Sequence, residues 1–300
     1  MADTCVVTGA FSYTGSFIAA RLLARGESVR TLSRTPAPAD SPIVAHPFAF
    51  DDPAALARVL KGARVLYNTY WIRFPRGSST FERAVANTRI LLRAAREAGV
   101  ERVVHVSVTN PMHDSPLAYF RGKAELEDAV CASGLGYGIV RPTLIFGAQD
   151  ILVNNIAWIL RRFPLFVLPG SGAYRVQPVS AEDTARICVD AGDAHDDLIR
   201  DAAGPDTFAF AELVRAVARA IGVRRPVVGA PAVVTHALGS VIGAMVRDVL
   251  LTRDEIAGLR QGLLVSEEPP LGRDRFEAWL SEHADALGRR YVSELARNYR

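Results

Sequence analysis

Short apolar runs punctuate the first half of the chain, and helical periodicity fills the intervals between them. The first run is Thr4-Cys5-Val6-Val7-Thr8, and others cover Ser28 to Ser33, Ile43 to Phe48, Val65 to Thr69, Val103 to Ser107 and Gly138 to Val140. Their length and β-branched content predict strands. Apolar residues at helical spacing follow the first run at Phe17, Ile18, Ala20, Leu22 and Leu23, and return near Pro53 to Leu60, Phe81 to Ala98 and Leu117 to Ala132. This alternation predicts an α/β fold whose doubly wound parallel sheet carries helices on both faces. The second half is richer in helix and has longer connections. The expected division is a sheet-bearing core over residues 1–147 and a smaller, mostly helical lobe over residues 148–300. A part of that lobe, about residues 174–191, is expected to return to the core.

The segment between the first strand and the first helix reads Gly9-Ala10-Phe11-Ser12-Tyr13-Thr14-Gly15. A glycine turn that delivers a strand into a helix N-terminus is a phosphate site, because the glycine permits the tight turn and free backbone N–H groups face the anion. The spacing is that of G-x-x-G-x-x-G, with Ser12 in place of the middle glycine. An ordinary strand-to-helix turn is the alternative. The second strand ends in Ser33-Arg34, and no carboxylate follows until Asp40. NAD sites commonly place an acidic residue there for the ribose hydroxyls, whereas a guanidinium suits a 2′-phosphate. NADP(H) is therefore favoured over NAD(H), the alternative being a surface arginine with NAD still accepted.

The basic residues comprise 33 arginines and only two lysines, Lys61 and Lys123. Where only positive charge is needed, this chain uses arginine. A lysine four residues after Tyr119 points to a need for a compact ammonium on a flexible stem. On a helix, positions i and i+4 share one face, so phenol and ammonium can converge on one ligand. A nearby cation favours the phenolate, which is the design of a phenol used as general acid or base. The alternative is a half-buried tyrosine beside a solvated lysine.

Together, Thr8-Gly9-x-x-Ser12-x-x-Gly15 and Tyr119-x-x-x-Lys123 resemble the short-chain dehydrogenase/reductase superfamily. Asn87 to Ala95 is similar to its fourth helix, Val103 to Ser107 to its fifth strand, and Val140 to Gly147 to the segment after its sixth strand. Gln177-Pro178-Val179-Ser180-Ala181-Glu182-Asp183 is similar to a late motif of the atypical, NmrA-like branch, which includes the dinucleotide-binding accessory subunit of respiratory complex I. The resemblance covers residues 1 to about 190 and becomes diffuse afterwards.

That resemblance implies a Rossmann sheet and an NADP(H)-dependent oxidoreductase. Phe11, Ser12, Tyr13 and Thr14 would join Gly9 and Gly15 at the pyrophosphate, with Ser33 and Arg34 at the adenosine ribose. Asn68, Thr69 and Tyr70 would pass the cofactor, with Trp71 beside them. Pro142 and Thr143 would meet the nicotinamide amide. Lys123 would bond the nicotinamide ribose, Tyr119 would exchange a proton with a substrate oxygen, and Ser107 or Thr109 would orient that oxygen. Neither hydroxyl falls cleanly on the family's position, where Val108 sits, and Ser107 is equally readable as a strand-end cap. The Gln177 to Asp183 segment is expected to close the pocket. Two other functions stay open: a dinucleotide-binding sensor or assembly protein without turnover, and a nucleotide-sugar epimerase or dehydratase.

Composition narrows the partners. A net charge of +3, with dispersed basic residues, gives no stripe for nucleic acid. Cys5, Cys131 and Cys188 lack C-x-x-C spacing, and the histidines show no H-x-x-x-H pattern, so reduced thiols and no metal are expected. The first strand begins at once, which argues against a leader, and a cytoplasmic protein with a small-molecule substrate, apolar among the options, is the expectation. The fifteen residues Ala232 to Val246 lack Asp, Glu, Lys and Arg. They are too few to span a membrane and are expected to form a core or pocket-lining helix. Phe163 to Pro169 is also apolar and is read as core or as a point of peripheral membrane contact.

Overall fold

A computed structural model describes residues 3–299. In chain order the elements are β1 (Thr4–Thr8), α1 (Tyr13–Ala24), β2 (Ser28–Leu32), β3 (Val44–His46), α2 (Pro53–Leu60), β4 (Val65–Asn68), α3 (Phe81–Glu97), β5 (Arg102–Val106), α4 (Ala118–Cys131), β6 (Gly136–Pro142) and β7 (Leu144–Phe146). They continue with α5 (Ile151–Arg162), β8 (Phe166–Pro169), β9 (Arg175–Val176), β10 (Pro178–Ser180), α6 (Ala181–Asp193), β11 (Leu198–Ala202), β12 (Phe208–Ala209) and α7 (Phe210–Ala220). The last are β13 (Val227–Ala230), α8 (Ala232–Val246), α9 (Arg253–Arg260), α10 (Phe276–His283) and α11 (Glu294–Asn298). The chain divides into two compact units, residues 1–142 with 181–202, and residues 143–180 with 203–300.

The first unit holds a seven-stranded sheet in the order β11-β6-β5-β4-β1-β2-β3, every pair parallel. Parallel strands are covered on both faces, which is why they read as continuous apolar runs. Alternate residues serve alternate faces. Cys5, Val7, Tyr67, Val104 and Val140 pack with α1 and α6 on one side. Val6, Leu66, Val103 and Ile139 pack with α2 and α3 on the other. The strand order reverses at β1, whose neighbours are β2 and β4. In such sheets ligands bind at the strands' carboxyl ends at this reversal.

Local chemistry sets the helix bounds. Asp52 caps α2 by accepting from Ala55 N, with Pro53 at the first helical position, and Thr80 caps α3 by accepting from Arg83 N. The buried Arg102 ties three elements together. Its Nε donates to Ala191 O, and its Nη2 donates to Tyr137 O and Asp196 O.

The second unit is built from helices and three two-stranded pairings, β10 with β7, β12 with β9 and β13 with β8. Its core gathers Phe146, Ile156, Leu160, Leu168, Phe210, Leu213 and Phe276. Helix α8 has the bounds its uncharged sequence predicts, but it is not a core helix. Only Thr235, Gly239 and Gly243 are buried, while Val233, Val234, Leu238, Val241 and Met245 are exposed. Helical spacing puts Thr235, Gly239 and Gly243 on one face, and Thr235 ties that face to β8 by donating to Leu168 O. The other apolar segment is split: Phe166 and Leu168 are buried in β8, and Leu165 is exposed.

Candidate functional site

The reversal point of the sheet brings the predicted glycine turn beside the end of β2. Gly9 N donates to Leu32 O at 2.7 Å, and Gly9 takes φ +68°, which glycine reaches without strain. Gly15 lies under the turn. A Cβ at that position would fall 2.1 Å from the Gly9 carbonyl oxygen, so only glycine fits. Thr31 braces the loop, its hydroxyl donating to Val7 O and accepting from Ala10 N.

The N-terminus of α1 follows the glycine turn directly. The cap residue Ser12 makes no side-chain cap bond, because its hydroxyl donates back to Gly9 O at 2.6 Å. No acidic residue occupies the first turn. A strand-to-helix turn with glycines at both ends and no carboxylate in the first helical turn is the arrangement suited to a phosphate. Tyr13 packs edge-on against Phe17, while Phe11 and Thr14 are half-buried at the turn. These residues fit a dinucleotide pyrophosphate. Ser33 and Arg34 follow β2 directly, with Ser33 N bonded to His46 O and the Arg34 side chain exposed.

The end of β4 supplies the adjoining wall. Thr69 N donates to the Thr8 hydroxyl and the Thr69 hydroxyl donates to Thr8 O, which ties β4 to β1. Asn68 is fully buried. Its Oδ1 accepts from Tyr70 N and its Nδ2 donates to His105 Nδ1 at 3.1 Å. With Nδ1 accepting, neutral His105 carries its proton on Nε2, a buried atom without a partner. Burial, and secondarily the nearby Lys123, push the His105 pKa well below its ordinary value. The Tyr70 hydroxyl accepts from Asn87 Nδ2, and its ring packs with Phe48 and Phe50 at 5.1 and 5.2 Å.

The second cluster lies on α4 and the end of β5. Lys123 is only 3% exposed. Its ammonium donates to Val106 O at 2.7 Å and sits 4.8 Å from the centre of the Trp71 ring. Burial pushes its pKa down to about 7, against the opposing pull of Glu127. Trp71 stacks on Phe81, and Tyr119 meets both rings edge-on at 5.9 and 6.1 Å. Gly122 allows this closeness, since a Cβ there would lie 2.8 Å from the indole. The Trp71 Nε1 is buried without a partner. Lys123 thus points inward to the strand end beneath an aromatic cover.

The two candidate hydroxyls for the substrate oxygen are both buried and committed elsewhere. Ser107 donates to Glu127 Oε1 at 2.5 Å, and Thr109 donates to Asp201 Oδ2 at 3.0 Å. Glu127 also holds the Arg141 guanidinium in a bidentate pair. Neither acceptor is near its partner in sequence, so the pairing was hidden. Glu127 nonetheless had a signal: Tyr119, Lys123 and Glu127 are successive i, i+4 positions on one helix face. Pro142 ends β6 and accepts from Thr109 N, whereas Thr143 belongs to the second unit and donates to Gln177 O. Among the described residues no group of acidic, histidine or cysteine side chains could hold a metal ion.

Residues 9–150 match the NAD(P)H-binding family. The chain is 28% identical over 176 residues to subunit 9 of the NADH dehydrogenase (ubiquinone) 1 alpha subcomplex of Arabidopsis thaliana mitochondria, covering 56% of this chain and 43% of that protein. It is 32% identical over 169 residues to a Stigmatella aurantiaca 4-hydroxy-2-methyl-3-oxo-4-farnesyl-3,4-dihydroquinoline-1-oxide ketoreductase, covering 48% of this chain and 51% of that one. The chain therefore spans about half the length of these curated relatives. An NADPH-dependent quinone oxidoreductase of Escherichia coli, solved with NADPH, shares the fold at a TM-score of 0.73 with 18% identity, over 94% of this chain and 98% of that one.

Proposed function

We propose that this chain, which carries an NAD(P)H-binding domain and fits the atypical short-chain dehydrogenase/reductase family, is an NADP(H)-dependent oxidoreductase acting on a carbonyl or hydroxyl group. The observation that carries the reading is the glycine-built Gly9–Gly15 turn that delivers β1 into α1, with Arg34 following the adjoining strand. The bound nicotinamide would supply or accept hydride. Gly9, Ser12, Tyr13, Thr14 and Gly15 would hold the pyrophosphate, Ser33 and Arg34 the 2′-phosphate, and Asn68, Thr69, Tyr70, Pro142 and Thr143 the rest of the dinucleotide. Tyr119 would move a proton to or from the substrate oxygen. Lys123 would set the charge beside it. Ser107 and Thr109, tied to Glu127 and Asp201, would fix the strand ends instead of orienting substrate. The ketoreductase relative supports a carbonyl substrate. Unpaired cysteines accord with a cytoplasmic setting.

A second reading is a dinucleotide-binding assembly protein without turnover. It is favoured by the inward hold on Lys123 and by the relative that is a subunit of a respiratory assembly. A panel of ketones, aldehydes, quinones and nucleotide sugars, followed by NADPH absorbance, separates the two.

Cofactor choice is tested by direct titration. NADPH should bind more tightly than NADH, and Arg34→Ala should remove most of the difference. One guanidinium–phosphate bond is worth about 1.5–3 kcal/mol, or roughly ten- to a hundred-fold in affinity. Equal affinity of the unmutated protein for both cofactors would sink this assignment.

A further inference from the structure

Helix α8 exposes more apolar surface than its surroundings explain. Val233, Val241 and Met245 are 80%, 60% and 70% exposed, and Val234 and Leu238 join them. At about 100° per residue, the exposed residues from Ser240 through Val233, Val241 and Met245 to Leu238 fill one continuous arc of roughly 160°. Ser240 is the only polar side chain in it, and none is charged. The buried Thr235, Gly239 and Gly243 occupy the opposite side, and Thr235 donates to Leu168 O. The helix is therefore seated on its small face and presents its large residues outward.

The charge pattern around this face selects an occupant. Residues 226–246 contain no Asp, Glu, Lys or Arg, and the stretch is bracketed by Arg224-Arg225 and Arg247. All three arginines are exposed. The acidic residue nearest in sequence, Asp248, has its carboxylate held by Tyr291 Oη, Glu294 N and Leu295 N, which donate to it. An apolar helix face with cations at its margins complements an anionic lipid surface, with aliphatic side chains in the acyl boundary and guanidinium groups among the headgroups. A helix of fifteen residues is about 22 Å long, shorter than the roughly 30 Å hydrocarbon core, so it suits lying in the interface and not crossing it. Among the described residues no helix is long and apolar enough to cross a membrane. Leu165, also exposed, precedes β8, and Phe166 N bonds Pro226 O beside Arg225. The same pairing thus brings an apolar residue next to the first arginines.

We infer that α8 docks this protein, in plane, on an anionic membrane surface. This goes beyond the dinucleotide chemistry and needs no turnover to be tested. The full chain is sedimented with vesicles of phosphatidylcholine alone and with vesicles containing phosphatidylglycerol, at low and high salt. Pelleting is expected with the anionic vesicles, weakened by salt. Val241→Glu with Met245→Glu should abolish it, and both positions are exposed enough to leave the fold intact, which circular dichroism checks. Arg224→Gln with Arg247→Asn should weaken it by roughly ten- to thirty-fold; asparagine tolerates the left-handed backbone of position 247, at φ +54°. Light scattering on the same samples tests the other occupant. A dimer that the Val241→Glu/Met245→Glu variant dissociates, without vesicle binding, assigns the face to a second copy and overturns the proposal. A monomer that ignores anionic vesicles, or binds neutral and anionic vesicles equally, overturns it as well.

Discussion

Tyr119→Phe should lower turnover by roughly 10²–10⁴-fold, the range typical of losing a general acid or base, while NADPH binding stays nearly unchanged. The argument begins with what the substitution keeps. Tyr119 is half-buried, and its ring meets Trp71, Phe81 and Phe120 edge-on. Phenylalanine preserves all three contacts, so α4 and the aromatic cover over Lys123 remain in place. What disappears is the hydroxyl, the proton-carrying group assigned to the substrate oxygen. The glycine turn and the α1 N-terminus lie on other elements and are untouched, so a calorimetric titration with NADPH should give the same affinity. Loss of turnover with retained binding supports the acid/base role. An activity found on the substrate panel and kept in full by Tyr119→Phe removes it.

Much of this site was readable in the sequence because it is local. The Gly9 to Gly15 turn, the Ser33-Arg34 strand end and the Tyr119–Lys123 spacing each lie within a few residues, and backbone geometry alone converts them into a strand-to-helix turn, a strand end that carries an arginine and a shared helix face. Helix α2 has the bounds that its helical spacing from Pro53 to Leu60 predicts. What was not readable depends on partners brought by the fold. Glu127 and Asp201 reach Ser107 and Thr109 across 20 and 92 residues, so these two bonds were not legible in the sequence. Trp71 reaches Lys123 from another strand end, so the aromatic cover over the lysine was not legible in the local spacing. Helix α8 misled for a different reason. An uncharged helix in a large chain reads as core, and the face it buries carries Thr235, Gly239 and Gly243, which add little to a hydrophobicity pattern.

Lys123→Met should make the protein more stable relative to the unmutated chain at neutral pH than at alkaline pH, and the change with pH is the measurement that counts. Lys123 titrates near 10.5 when unfolded, and burial brings it to about 7 in the folded protein. The folded state therefore binds fewer protons than the unfolded state between those values, so stability rises with pH across that window. Put the other way, the folded protein bears the cost of holding the amine charged, or neutralising it, more heavily as pH falls toward 7. One pKa unit corresponds to about 1.4 kcal/mol, so between pH 7 and pH 9 the cost falls by about 2 kcal/mol. Methionine abolishes this slope. It also leaves Val106 O without its donor, but that penalty is independent of pH and shifts both measurements equally. His105, the other buried base beside Lys123, is neutral throughout this range because its pKa is depressed. Urea denaturation of both proteins at pH 7 and pH 9 should therefore show the gap between them narrowing by about 2 kcal/mol in favour of the unmutated chain. A gap that does not change with pH means that Lys123 titrates as an ordinary lysine, and its role beside Tyr119 would then be that of a permanent cation.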